Sequence, residues 1–241
     1  MRRLLLVVAF AWPAVLLACG GASAPAPSPT PTEPAAPTAT PAPGGVQVVA
    51  CGDILAPVDK QHRLDADCEP GDLVALPARF LAADGQQLRA EAAAAMVELL
   101  EAALADGHEL FVLSAYRSYE LQRQVFQWHV DTYGREEAER VSARPGHSEH
   151  QLGTAADVTS RSVGLELVKA FGDTPEGRWV AENAHRFGFI VSYPEGQEAV
   201  TGYDYEPWHL RYVGKSVARE VVASGLTLHE FLLQRVRAAG G

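Results

Sequence analysis

The stretch Pro145-Gly146-His147-Ser148-Glu149-His150-Gln151-Leu152-Gly153-Thr154-Ala155-Ala156-Asp157 gathers histidines and an aspartate around a turn. Gly153 permits a sharp reversal after His150, because glycine tolerates backbone angles closed to other residues. The small Ala155 and Ala156 then let the chain return as a strand over 155–159, which aims Asp157 back toward His150. A catalytic zinc needs three protein ligands of N or O type, a fourth position open to water, and a nearby carboxylate to move protons. Glu206-Pro207-Trp208-His209 offers the missing members, in what reads as a loop stiffened by Pro207. His150, Asp157, His209 and Glu206 together supply such a set of ligands and proton carrier.

Outward from that stretch, the chain alternates helices and short strands. Residues 88–106 are rich in strong helix formers, with Leu88, Ala92, Met96, Leu99, Leu100 and Ala103 near helical spacing and Gly107 as the stop. The apolar run 110–115 suits a buried strand, and 119–132 returns to a helical pattern before Gly134. Tyr116, Arg117 and Ser118 thus sit at a strand end. Thr174-Pro175 opens a helix that reaches Phe187, with Thr174 as cap and Gly188 beyond its end. Residues 189–192 read as a strand, and Thr227 with Glu230 forms a capping box ahead of a terminal helix reaching Ala238. There is no regular βαβ repeat, so the fold class is α+β, a small, mostly antiparallel sheet flanked by helices.

Several functions are excluded. Twenty Lys and Arg against thirty Asp and Glu leave a formal charge of −10, a poor match for nucleic acid. The sequence has neither GxxxxGK[ST] nor GxSxG, and both zincin helix motifs, HExxH and HxxEH, are absent. His62, His108, His129, His185 and His229 have no visible partner set and read as structural, and His147 is left out because one ligand from that turn suffices. The chemistry falls to the histidines and carboxylates already named.

The N-terminus reads as an address. Arg2 and Arg3 precede an apolar run over 4–17, too short to span a bilayer and ending in Leu16-Leu17-Ala18-Cys19-Gly20. This resembles a bacterial lipobox, which implies a signal peptide over 1–18, lipidation of Cys19, and an exported protein held at the cell envelope. Residues 22–43 are almost entirely Ala, Pro, Thr and Ser, so 19–45 forms a semi-rigid tether and 46–241 the catalytic domain. At about 3.1 Å per residue, the tether reaches on the order of 60–70 Å from its anchor. Outside the cell Cys51 and Cys68 are expected to pair, closing a loop that contributes about 3 kcal/mol.

Together, Ser148-x-His150-x-x-Gly153-x-Ala155-x-Asp157, Glu206-x-x-His209 and the earlier Ser114-Ala115-Tyr116-Arg117-Ser118 resemble the VanY-like D-alanyl-D-alanine carboxypeptidases, metallopeptidases of the LAS type. The resemblance runs from Val46 to the C-terminal helix and implies an LAS or hedgehog-like zinc peptidase domain. It makes His150, Asp157 and His209 the Zn2+ ligands, Glu206 the base and Arg117 a stabiliser of the oxyanion. It also implies that Ser148, Tyr116 and Gln122 hold the substrate's terminal carboxylate. The partners it implies are peptidoglycan stem peptides. The same pattern serves removal of D-alanine from D-Ala-D-Ala ends, LD-carboxypeptidase or endopeptidase action, or a weakly active wall-binding lipoprotein.

Overall fold

The computed structural model describes residues 45–239; the signal peptide, Cys19 and all but the last residue of the tether lie outside the described residues. Two small ladders come first. β1 (Gln47–Val48) pairs in parallel with β2 (His62–Arg63), and β3 (Leu73–Ala75) pairs antiparallel with β4 (Gln87–Arg89). β4 takes Leu88 and Arg89 out of the helix expected there. Leu88 pairs with Val74, and the Arg89 amide donates to the Gly153 carbonyl, so α1 begins at Ala90 and runs to Ala105. Its buried face, including Ala92, Met96, Leu99, Leu100 and Ala103, is the one its spacing selects.

β5 (Phe111–Ser114), α2 (Tyr119–Tyr133) and α3 (Arg135–Val141) follow. A 3-10 turn over Glu149–Leu152 then leads into β6 (Ala155–Thr159). α4 (Pro175–Asn183) starts on a Thr174 side chain that accepts from the Gly177 amide at 3.0 Å, and gives way to a 3-10 turn before Gly188. β7 (Phe189–Val191), α5 (Glu198–Thr201), β8 (His209–Tyr212), α6 (Lys215–Ser224) and α7 (Leu228–Ala239) complete the chain. The capping box forms reciprocally: the Glu230 amide donates to Thr227 Oγ1 at 3.2 Å and the Thr227 amide donates to Glu230 Oε2 at 3.0 Å.

The central sheet has the order β5-β6-β8-β7, antiparallel throughout. Side chains alternate across a strand. Ala156, Val158, Leu210 and Tyr212 accordingly join the core against α1, while Asp157 and His209 lie opposite each other in register. His209 is thus the first residue of a strand, where the sequence suggested a loop. Arg211 hides that strand, because a charged residue inside a four-residue run breaks the apolar pattern.

Candidate metal centre

His150 sits in the 3-10 turn that Gly153 closes in the left-handed region, at φ +69°. A Cβ there would meet Leu73 Cδ2 at 2.9 Å and Arg89 Cγ at 3.0 Å, so both conformation and space require glycine. Asp157 comes from β6 and His209 from β8, neighbours in the sheet. One donor atom from each of the three residues falls within 4.8 Å of the others, and all three residues are buried.

Each ring turns one nitrogen inward and has a partner behind the other. His150 places Nε2 at 3.2 Å from Asp157 Oδ2 and Nδ1 at 2.6 Å from the Ala115 carbonyl oxygen. His209 places Nδ1 at 3.0 Å from Asp157 Oδ1 and Nε2 at 2.9 Å from Glu149 Oε2. Two nitrogens and a carboxylate converging from a rigid sheet and turn, with the outer nitrogens already engaged, fit zinc as a three-ligand site. Tyr193 stacks on the His209 ring at 4.9 Å between centroids.

The electrostatics match a site built for a cation. Burial alone raises the Asp157 carboxyl, but His150 and His209 outweigh it and hold the group well below the usual carboxylate range. Burial opposes charge on His209 too, yet hydrogen bonds to Asp157 and Glu149 push its pKa up to about 10. Glu206 responds the other way. Burial raises it to about 8 against the pull of His209, with Asp157 adding repulsion. Its Oε2 is 4.0 Å from His209 Nδ1, at the edge of the donor set.

The donor set opens into a cavity of about 560 Å³ lined by Arg117, Ser148, Glu206 and Trp208, with Tyr193 and Tyr203. Arg117 Nη2 is 3.9 Å from Asp157 Oδ2 and donates to Ser114 Oγ, while Nη1 donates to Gln122 Oε1 at 3.0 Å. Ser148 lines the cavity, buried beside the ligand-bearing turn. Gln122 also lines the cavity; it is 1% exposed, its amide nitrogen donates to the Ala143 carbonyl at 2.6 Å and its Oε1 accepts from Arg117, which it orients. Tyr116 is not among the lining residues. Its amide is tied to the Gln87 carbonyl, and the carboxylate that bears on its phenol, after burial, is Glu69.

Two further residues belong to the site although the sequence did not mark them. Glu149, beside His150 in the turn, is buried behind His209. Arg211, fully buried, donates to Glu149 Oε1 at 3.0 Å. A charged residue in the middle of a core strand is the signal that points to such a partner. Cys51 and Cys68 are disulfide-bonded, 17 residues apart.

Three converging N/O donors, an adjacent carboxylate of raised pKa and a fixed guanidinium define the class as a metallopeptidase-type hydrolase. The VanY family of D-alanyl-D-alanine carboxypeptidases matches residues 85–215, and this chain belongs to it. The protein YodJ of Bacillus subtilis (strain 168) is 46% identical over 182 residues, 74% of this chain and 67% of that protein. The solved structure of the LD-carboxypeptidase LdcB superposes with a TM-score of 0.73 at 43% identity, covering 77% of this chain and 89% of LdcB. A D,D-pentapeptidase VanY variant from the VanB-type resistance cassette, in complex with Zn(II), gives 0.63 at 33% identity, covering 74% and 98%. The fold is that of these zinc peptidases, and zinc is the cofactor the site is built for.

Proposed function

We propose that this protein removes the terminal D-alanine from peptidoglycan stem peptides as a zinc-dependent D-alanyl-D-alanine carboxypeptidase. The observation that carries the reading is Glu206, a carboxylate of raised pKa beside a complete donor set in a cleft. Zinc, when bound, supplies Lewis-acid polarisation of the scissile carbonyl and acidifies water. Glu206 takes the proton of the attacking water and hands it to the leaving amine, its carboxylate standing at the edge of the donor set. Arg117, held in place by Gln122 and Ser114, presents fixed positive charge to the developing oxyanion. Ser148 and Gln122, both in the cavity wall, are the groups assigned to the peptide's terminal carboxylate.

A second reading, cleavage of the bond between an L-centre and D-alanine, draws support from the higher similarity to LdcB than to VanY. Mass spectrometry of zinc-loaded protein with pentapeptide and tetrapeptide muropeptides, beside a chelator control, separates the two. Loss of alanine from the pentapeptide alone supports the first, loss from the tetrapeptide supports the second, and cleavage of neither sinks both. The lipobox supports an exported, envelope-anchored form. Release of the Cys19→Ala variant from the membrane fraction is the expected outcome, and retention would count against lipidation.

A further inference from the structure

We propose that Glu149 is a positioning residue for the metal: it fixes His209 in the orientation and tautomer that present Nδ1 to zinc, and Arg211 and Ser192 hold Glu149 in place. The inference rests on the metallopeptidase reading above. Glu149 Oε2 faces two groups, the Ser192 hydroxyl at 2.6 Å and His209 Nε2 at 2.9 Å, while Oε1 accepts from Arg211 at 3.0 Å. A proton on Nε2 completes that contact and leaves the Nδ1 lone pair on the side of Asp157. Turning the ring over would set carbon atoms against both carboxylates, and the Tyr193 ring stacked on His209 limits tilting.

Stability does not account for this arrangement. Arg211 is fully buried; its Nη2 goes to the carbonyls of Ile54 and Ala56, at 2.7 and 3.2 Å, and its Nε has no partner among the described residues. A buried ion pair costs so much desolvation that apolar residues of similar volume often serve stability as well or better. What the pair does supply is a full negative charge behind one histidine ligand, which raises the basicity of the imidazole toward a metal. Nothing in the packing demands a charge for this purpose, since His150 is held by the neutral Ala115 carbonyl. The charge therefore belongs to the metal's needs at His209.

The test measures zinc affinity of metal-stripped protein by competition with a chromophoric chelator, with thermal unfolding of the same metal-free samples. Glu149→Gln is expected to bind zinc about 10- to 100-fold more weakly. Because that variant strands the Arg211 cation, the decisive comparison is Glu149→Gln with Arg211→Met. Recovered thermal stability with zinc affinity still weakened supports positioning; affinity within about twofold of wild type overturns it, leaving Glu149 as half of a structural pair. Should the double variant not fold, Ser192→Ala keeps both charges and decides alone: several-fold weaker zinc binding supports the proposal, and unchanged binding overturns it. If wild type itself binds no zinc, the metallopeptidase reading fails instead.

Discussion

The floor of the cleft and its rim use charge in opposite ways. On the floor, Asp157, Glu149, Arg211 and both histidines are buried on a sheet and a tight turn, and their contacts link residues distant in sequence. On the rim, Asp204 bridges Arg140 of α3 and Lys169, whose side chains are 55% and 58% exposed. Buried charges that lose a partner are expensive to leave unpaired, whereas exposed pairs are screened and worth about 1 kcal/mol or less. The floor is therefore where substitution alters chemistry, and the rim is where the sequence can drift.

The sharpest way to break this contrast is at Glu206. Glu206→Gln keeps the shape and removes the proton carrier, so turnover should fall by about 10²- to 10⁴-fold while zinc stays bound, as read by steady-state kinetics and metal analysis. Unchanged turnover would remove Glu206 from the mechanism. Arg117→Lys keeps a positive charge but loses the fork that bonds Gln122 and Ser114, and should lower kcat by about 10²-fold with little change in KM. An effect confined to KM would assign Arg117 to ground-state binding.

A pH experiment on the metal-free protein sharpens the comparison further. Glu206 titrates near 8 when folded, against an ordinary value of 4.5, so between those limits the folded state holds a proton that the unfolded chain has lost. Stability must then fall as pH rises from about 4.5 to 8, by on the order of a few kcal/mol, and Glu206→Gln should lack that decline in chelator-treated thermal melts. An identical pH dependence in the two proteins would mean that Glu206 ionises freely in the fold. The smallest effect belongs to the rim. Asp204→Asn should cost about 1 kcal/mol or less, shrink further in high salt, and leave kcat within a few-fold. A loss of hundreds-fold would show the Arg140-Asp204-Lys169 bridge acting in catalysis.

Much of the site was readable because its spacing is local. Gly153, Ala155 and Asp157 lie within five residues, and turn followed by strand brings Asp157 back beside His150 by simple geometry. α1, α2 and α7 announced themselves through apolar period or capping residues, and β6 matches its expected bounds of 155–159. What was hidden depends on tertiary partners. β8 is masked by Arg211, whose burial makes sense only once Glu149 stands beside it. α3 and α6 bury so few side chains, Ala138 in one and Ala218 and Val221 in the other, that their patterns do not stand out. Gln122 shows the same limit, since a helix glutamine looks solvated until the Ala143 carbonyl is found against it.

The disulfide reaches further than its short loop suggests. The side-chain Nε2 of Gln151, next to the ligand His150, donates to the carbonyls of Asp65 and Cys68, and Leu152 packs with Leu64 and Cys68. On the other side of the turn, the Leu64 amide donates to the Gly146 carbonyl. The cross-linked loop thus clasps the ligand-bearing turn from both sides. Joining Cys51 to Cys68 narrows the freedom of that loop in the unfolded chain, so the cross-link braces the segment that carries His150 without touching the metal site itself.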